Sequence, residues 1–258
     1  MLKLIDLKEP PKVTNVDKFD EIILVDVSQV RPLEGKVPTE KVFQIIDHRK
    51  THEAEKFPNA KAQIELVGAA ATLIAEKFIK ENIRISKKSA MLLYAAIISN
   101  TCNFKGISTP KDEKAAIWLN KVANLPENFA GQLFEAKSDL SGVKLDKRLE
   151  EDFAWFILKN KKVGIAQIEA LNLQKIIKLR EEGIITKLTK FKRRFRLDLI
   201  LLNGIDLGKY ICIFVTKEAK TKILFEKVFK VRFTGNTAQT KKIIMRKQIG
   251  PFLEKFME

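Results

Sequence analysis

Histidine and cysteine are scarce in this sequence of 258 residues, which contains two of each. The cysteines, Cys102 and Cys212, lie in apolar surroundings and lack the Cys-x-x-Cys spacing of zinc and redox motifs. This excludes a disulfide framework and a thiolate zinc site. We expect two buried free thiols in a reducing compartment.

Long apolar runs and glycine-rich motifs are also missing. No stretch approaches the roughly 20 apolar residues that a membrane-spanning helix needs. The first residues, MLKLIDLKEPPK, are too short and too charged for a signal peptide. There is no GxGxxG, P-loop or GxSxG pattern. We therefore predict a soluble, cytoplasmic protein without these nucleotide-binding loops or a serine-hydrolase elbow.

Acidic residues are far fewer than basic residues in the second half of the chain. Residues 1–141 carry 21 Lys and Arg against 19 Asp and Glu, a net charge of +2, whereas residues 142–258 carry 27 against 13, a net charge of +14. Such a field favours anionic partners such as phosphate compounds, nucleic acid or an acidic surface. The alternative is a lysine-rich surface without a specific partner, since bidentate phosphate recognition favours Arg.

What the chain does contain is an alternation of strands and helices. Two apolar, β-branched runs, Asp20–Ser28 and Lys41–His48, predict buried strands. Periodic apolar positions predict the helices that follow, in the segments 64–82, 86–101, 108–124 and 126–139. This order is typical of a parallel α/β sheet, in which ligands bind at the carboxyl ends of the strands.

A polar segment at residues 136–152 predicts the boundary between two domains. We assign residues 1–141 to a first domain with a parallel, doubly wound sheet. Residues 142–258 form a second, smaller α/β domain with a mixed sheet, a long basic helix at about 173–191, a short apolar strand in KIIM and a terminal helix. A cleft is expected between the two domains.

Three side chains at predicted strand ends could bind metal. Asp26 follows the first strand, and Asp47 and His48 end the second. Carboxylates and a neutral imidazole suit Mn²⁺, Fe²⁺, Co²⁺ or Zn²⁺, and with more oxygen ligands Mg²⁺. The alternative is a polar turn, because Asp is common after strands. A helical pairing of His48 with His52 is disfavoured by the preceding strand.

Two basic segments could contact phosphate or nucleic acid. Lys241, Lys242, Arg246 and Lys247 surround KIIM and could bind phosphate, or form a solvated strand end. The segment Lys187–Asp198, KLTKFKRRFRLD, is a weak nucleic-acid signal. An amphipathic helix with its phenylalanines in the core is the favoured interpretation of that segment.

Several segments, in order, resemble the DHH phosphoesterase superfamily, specifically its manganese-dependent family II inorganic pyrophosphatases. EIILVDVSQ resembles the strand that ends in an aspartate ligand, and IIDHRK the Asp-His-His signature. IELVGAAATLIAEKF resembles the glycine-led helix, and LLYAAIISNTCNFKGIST the helix that ends in Ser-Asp-Thr and a Phe-Lys loop. KSDLSG resembles the interdomain linker. KKVGIAQIEAL and MRKQIGPFL resemble parts of the DHH-associated second domain.

The resemblance implies roles for individual residues. Asp26 and His48 match metal ligands, Asn100 stands where the family has a ligand aspartate, and a divalent cofactor is implied, Mn²⁺ first, with Mg²⁺ or Co²⁺ as alternatives. The implied catalytic and phosphate-binding residues are Asp47, His48, Arg49, Lys105, Arg246 and Lys247.

This sequence also departs from the family pattern. Arg49 replaces the second signature histidine, the family's first motif with a His and two Asp is not found before the Asp26 strand, and a family lysine falls on Ala154. With so few anionic ligands, a paired-metal site is expected to bind weakly or not at all. The chain is either an N-terminally shortened form of an active ancestor or a branch with altered chemistry.

Two functions are compatible with these observations. The first is a metal-dependent phosphoanhydride or phosphoester hydrolase, inorganic pyrophosphatase-like, whose activity is retained or impaired and whose substrate is pyrophosphate or a small nucleotide. The alternative is a non-catalytic nucleotide- or nucleic-acid-binding protein that keeps the DHH fold. No membrane partner is expected, and a homodimer is compatible with either function.

Overall fold

The computed structural model describes residues 6–256, and the chain divides into two compact units, Met1–Leu133 and Phe134–Glu258. The first unit contains a parallel sheet in the order β1-β2-β3. The strands are β1 (Ile22–Val25), β2 (Val42–Asp47) and β3 (Lys61–Ile64), and the helices are α1 (Ala70–Lys80), α2 (Lys87–Asn100), α3 (Pro110–Ala123) and α4 (Phe129–Lys137), the last of which contains the division.

Both predicted strands form, but burial explains only the second: in β1 Leu24 is buried while Ile23 and Val25 are exposed, so the prediction that the first strand is buried is wrong. In β2, Val42 and Ile45 are fully buried, and Ile46 packs with α1 through Leu73. β-branched side chains at these positions suit a sheet that is covered by helices. The predicted parallel sheet is confirmed, and Asp47 is the last residue of its central strand.

Helix starts are fixed by polar side chains. The hydroxyl of Ser86 accepts a hydrogen bond from the Ser89 N–H at 3.1 Å, as an N-cap residue does. At α3, Pro110 is the first helical residue and Asp112 lies in the first turn. Both helix starts were predicted from the sequence and are confirmed.

One prediction in this unit is wrong. The segment from Ile64 was expected to be helical, but Lys61–Ile64 is strand β3 and α1 begins only at Ala70. The apolar spacing begins at Ile64, whereas the backbone of Ile64 pairs with β2 opposite Asp47 and residues 65–69 form a loop before the helix. Pairing with a distant strand therefore overrides the local helical pattern.

The second unit contains a five-stranded sheet in the order β4-β5-β6-β7-β8. Within the described residues, the pair β5–β6 is parallel and the other three neighbouring pairs are antiparallel, so the predicted mixed sheet is confirmed. Its elements are α5 (Lys144–Glu151), β4 (Phe153–Leu158), β5 (Lys161–Ala170), α6 (Leu173–Phe195), β6 (Leu199–Asp206), β7 (Ile211–Val215), α7 (Ala219–Phe229), β8 (Thr237–Gln239) and α8 (Arg246–Glu254).

The basic helix α6 is amphipathic and turns its phenylalanines to the core. The Phe153 ring lies 4.5 Å from that of Phe191 and 5.2 Å from that of Phe195, measured between centroids. Phe191 is buried and Phe195 packs against the same core. The favoured interpretation of this segment is confirmed, and these rings are engaged in packing. Nucleic-acid binding stays a prediction.

The KIIM segment is not a strand, which corrects the sequence prediction. The Ile244 N–H donates to Sγ of Cys212 at 3.0 Å, and the Ile244 carbonyl accepts from the Asn203 amide at 2.8 Å. Side chains thus satisfy the backbone groups that a neighbouring strand would otherwise pair.

Cys212 and Cys102 are both buried and free, as predicted. Of the helices in residues 6–256, none combines the length and apolar composition of a membrane span.

Candidate metal centre

The candidate site lies at the carboxyl edge of the first sheet, where β1 and β2 end side by side. Asp26 directly follows β1, and its N–H donates to the Ile46 carbonyl at 2.9 Å, which extends the pairing of the two strands. Its φ of 61° is left-handed, a conformation that Asp adopts more readily than most residues. Parallel strands end at one edge of a sheet, so this turn leaves Asp26 next to Asp47 and His48.

His48 is held in a defined orientation by the backbone. Its Nδ1 lies 2.9 Å from the Val67 carbonyl oxygen, which can only accept a hydrogen bond. Nδ1 therefore carries the proton, and in the neutral ring Nε2 presents a lone pair. Nε2 lies 3.3 Å from Oδ1 of Asp26, and the histidine side chain is 9% exposed. A metal ion bound to both atoms would offset the repulsion between their lone pairs.

Asp47 is completely buried and is oriented by two donors. The Ser28 hydroxyl donates to Oδ2, and the backbone N–H of His48 donates to Oδ1 at 2.6 Å. A buried carboxylate keeps its charge only when hydrogen bonds and nearby cations stabilise it. The sequence placed Asp47 at the strand end, but it gave no sign that Ser28 would orient its carboxylate.

Arg49 contributes a positive charge to the same group of side chains. Its Nη2 lies 3.5 Å from Oδ1 of Asp26, and its Nη1 lies 3.6 Å from Oδ2 of Asp47. The side chain is 42% exposed, so part of the guanidinium faces solvent. Asp26, which follows β1, is therefore brought together with Asp47, which ends β2, and with His48 and Arg49.

The arrangement fits a divalent cation. One potential ligand atom from each of Asp26, Asp47 and His48 can be chosen so that the three lie within 4.8 Å of one another. Two ligand atoms about 2.1 Å from one ion would be about 3.0 Å apart at an octahedral angle and about 3.4 Å apart at a tetrahedral angle. The 3.3 Å between Nε2 of His48 and Oδ1 of Asp26 falls in this range. The set of oxygen and imidazole donors suits Mn²⁺, Co²⁺ or Zn²⁺.

Behind the site, a buried carboxylate on α3 fixes the loop that orients His48. Asp112 accepts hydrogen bonds from the Gly68 N–H at 2.8 and 3.0 Å and from the Thr72 hydroxyl at 2.5 Å. It also accepts from the N–H and hydroxyl of Thr109, at 2.7 and 2.8 Å. Gly68 follows Val67, whose carbonyl binds His48, so Asp112 supports the orientation of His48 indirectly.

This supporting role was not predicted from the sequence. The spacing of Thr109 and Asp112 indicates a helix start, and it does not show which other chain segment the carboxylate binds. Gly68 is required here by close approach. A Cβ at this position would lie 2.5 Å from Cγ2 of Thr101 and 2.9 Å from the Ile107 carbonyl oxygen.

Two predicted residues of the first unit lie at or just after the end of α2. Asn100 is exposed, and its amide donates to the Ala96 carbonyl of the same helix at 3.0 Å. Its neighbour Thr101 is buried against Gly68, which places the helix end beside the loop that carries Val67. Lys105 is exposed in the following turn. Metal binding by Asn100 and phosphate binding by Lys105 stay predictions.

The other two predicted phosphate-binding residues open helix α8 in the second unit. Arg246 contacts Asp152 through Nη2 and Oδ1 at 2.7 Å, and its Nη1 donates to the Asp152 carbonyl at 2.5 Å. Its backbone N–H donates to Oε1 of Gln167 at 2.7 Å. Burial raises the pKa of Asp152, and Arg246 partly opposes that increase. Phosphate binding by Arg246 and Lys247 stays a prediction.

The second histidine lies apart from the candidate ligands. Nδ1 of His52 is 4.0 Å from Oε2 of Glu55, and the side chain is 42% exposed. Its partner is therefore a surface carboxylate of the same segment. This placement makes His52 a natural control for experiments on His48.

Comparison with known proteins gives consistent matches over most of the chain. Residues 131–256 match the DHHA2 domain family. The chain is 32% identical over 249 residues to the manganese-dependent inorganic pyrophosphatase of Methanothrix thermoacetophila, covering 95% of this chain and 80% of that protein. It is 28% identical over 213 residues to the cobalt-dependent inorganic pyrophosphatase of Clostridium perfringens, covering 81% and 38%.

A solved structure shows the same fold. The Methanococcus jannaschii protein assigned to the family II inorganic pyrophosphatases superposes with a TM-score of 0.80 at 30% sequence identity. The match covers 98% of this chain and 85% of that structure. The likeness therefore extends over both units.

Proposed function

The chain belongs to the family of manganese-dependent inorganic pyrophosphatases, and we propose that it hydrolyses pyrophosphate with a divalent cation held by Asp26, Asp47 and His48. The observation that carries the proposal is the approach of Nε2 of His48 to Oδ1 of Asp26 at 3.3 Å. The Val67 carbonyl keeps the proton on Nδ1, so the lone pair on Nε2 is available to a metal ion. Mn²⁺ is proposed first, with Co²⁺ and Mg²⁺ as alternatives.

The residues of the site would hold the metal ion and bind the phosphate. A bound divalent ion lowers the pKa of a coordinated water and neutralises charge on phosphate oxygens. Asp26 and His48 would hold the ion at the strand ends, and buried Asp47 would complete its negative surroundings. Arg49, which is partly exposed, would direct its remaining N–H donors at the phosphate, and it stays charged at any working pH.

Four further residues extend the proposal. Asn100 would contribute its carbonyl oxygen to the metal, and Lys105, Arg246 and Lys247 would bind phosphate. Replacing Arg246 would also break its ion pair with Asp152. If Lys247 binds substrate in the ground state, Lys247→Met should raise KM more than it lowers kcat.

The test of the function is phosphate release from pyrophosphate by the purified full-length chain, with and without Mn²⁺. We expect release that depends on Mn²⁺ and is abolished by chelation. ATP serves as the comparison substrate for the small-nucleotide alternative, and Co²⁺ and Mg²⁺ replace Mn²⁺ in parallel reactions.

The two histidines supply a matched pair of variants. His48→Ala removes a proposed ligand and should lower activity at least about 100-fold, since even the loss of an outer partner typically costs 10–100-fold in affinity or activity. His52→Ala removes an imidazole whose partner is Glu55 and should behave like the wild type. Wild-type release no greater than that of His48→Ala would refute the proposal.

A further inference from the structure

Arg49 pairs with both carboxylates of the metal cluster. One terminal nitrogen lies 3.5 Å from Asp26 and the other 3.6 Å from Asp47. The two carboxylates follow or end different strands, so the guanidinium links two chain segments at the edge of the sheet. A guanidinium between two carboxylates partly neutralises their negative charge, as a bound metal ion often does.

The position of the guanidinium restricts how many metal ions fit. In two-metal sites the ions lie about 3.5–4 Å apart and share surrounding oxygen ligands. Here the first ion is expected between His48 and Asp26. A second ion near Asp26 and Asp47 would lie beside the Arg49 nitrogens, which approach Oδ1 of Asp26, the oxygen assigned to the first ion, and Oδ2 of Asp47.

The charges at the site lead to the same conclusion. The cluster contains two carboxylates and a histidine that is neutral when it binds metal. One divalent ion balances the two carboxylates, and Arg49 adds one further positive charge. A second divalent ion would bring the net charge to plus three, next to a guanidinium that cannot release its proton. Like charges at such short range oppose binding strongly.

We propose that the site takes a single divalent ion and that Arg49 serves as its second, permanent cation. This inference rests on the proposed function, because it assumes that the cluster binds a divalent ion. Arg49 would stabilise both carboxylates before any metal is present, and its solvent-facing N–H groups would meet a phosphate oxygen. A chelator would remove the divalent ion and leave the positive charge of Arg49 in place.

The experiment counts Mn²⁺ ions on the full-length protein. Metal-free protein is saturated with Mn²⁺, desalted and analysed for bound metal by mass spectrometry, with calorimetric titration as a second count. Electron paramagnetic resonance distinguishes an isolated Mn²⁺ from an exchange-coupled pair. The variants are Arg49→Met, Arg49→Lys and, as a control, Arg84→Met, which changes an exposed arginine elsewhere in the first unit. Circular dichroism verifies that each variant is folded.

We expect one Mn²⁺ per chain in the wild type, in Arg84→Met and in Arg49→Lys, which retains the charge. Arg49→Met should admit a second, weaker ion and show an exchange-coupled signal. A wild type with two ions, an Arg49→Met protein with one, or an Arg49→Lys protein with two would overturn the inference and leave the proposed metal centre intact. A wild type that binds no Mn²⁺ would overturn both.

Discussion

Removal of the Asp112 carboxylate is expected to destabilise the first unit and to weaken metal binding. In the native structure, Asp112 accepts hydrogen bonds from Gly68, Thr72 and Thr109, and it is fully buried. Asp112→Ala leaves these donors without their acceptor. Asp112→Asn keeps one oxygen for the two backbone N–H groups, and the Thr72 hydroxyl can rotate to accept from the new amide.

The magnitude follows from which donors can find another partner. The Gly68 N–H is buried, and leaving such a group unsatisfied costs about 1–3 kcal/mol. Thr109 is partly exposed, so water can replace some of the hydrogen bonds that it loses. The cap at the start of α3 nevertheless contributes about 1 kcal/mol. We expect Asp112→Ala to lower the free energy of unfolding by about 3–4 kcal/mol. For Asp112→Asn we expect a loss of about 1–2 kcal/mol, because neutral hydrogen bonds replace charge-assisted ones.

The two tryptophans make the measurement specific to one unit. Trp118 lies on α3 in the first unit, and Trp155 lies on β4 in the second. In a Trp155→Phe background, urea denaturation followed by fluorescence reports on the first unit alone. This restriction matters because a chain with two units need not unfold in a single step. Glu113→Ala, an exposed change in the same helical turn, is the control and should alter the free energy little.

Two results would refute the reasoning about Asp112. A loss below about 1 kcal/mol for Asp112→Ala would show that the donors it binds are satisfied by other groups. Equal losses of unfolding free energy for Asp112→Ala and Asp112→Asn would show that the acceptor oxygen retained by Asn does not contribute to stability. Because Gly68 adjoins Val67, we also expect Asp112→Ala to weaken Mn²⁺ binding by about 10–100-fold, as the loss of an outer partner does.

Two further predictions concern buried groups. Gly68→Ala places a methyl 2.5 Å from Cγ2 of Thr101 and 2.9 Å from a carbonyl oxygen, and should cost about 2–3 kcal/mol in the same denaturation assay; an unchanged midpoint would contradict the steric argument. Burial raises the pKa of Cys212 to about 11, so the native thiol should resist iodoacetamide at about pH 8 and react once the chain is denatured. Since the folded pKa lies above the ordinary value of 9.0, this thiol's contribution to stability is full below pH 9 and is lost as the pH rises toward 11. Rapid native labelling of Cys212, identified by peptide mapping, would show that the site is open.

Prediction from sequence fails where contacts with a distant part of the chain override the local pattern. The run from Ile64 has helical spacing, and local periodicity alone predicts a helix there. Only Ile64 of this run belongs to strand β3, which pairs with β2, residues 65–69 form a loop, and the helix begins at Ala70. Similarly, Ile243 and Ile244 have the composition of a strand, yet Cys212 and Asn203 satisfy the Ile244 backbone. Partners more than ten residues away leave no trace in local patterns.

The sequence by itself determined the alternation of strands and helices, the mixed sheet of the second unit and the two buried thiols. It also determined that Asp26, Asp47 and His48 stand at strand ends, because apolar runs and the polar residues after them are local features. Only the tertiary structure decided that Arg49 joins both carboxylates, that Val67 fixes the proton of His48, and that Asp112 holds the loop behind them. These contacts depend on distances between segments far apart in the chain, and the folded backbone sets those distances.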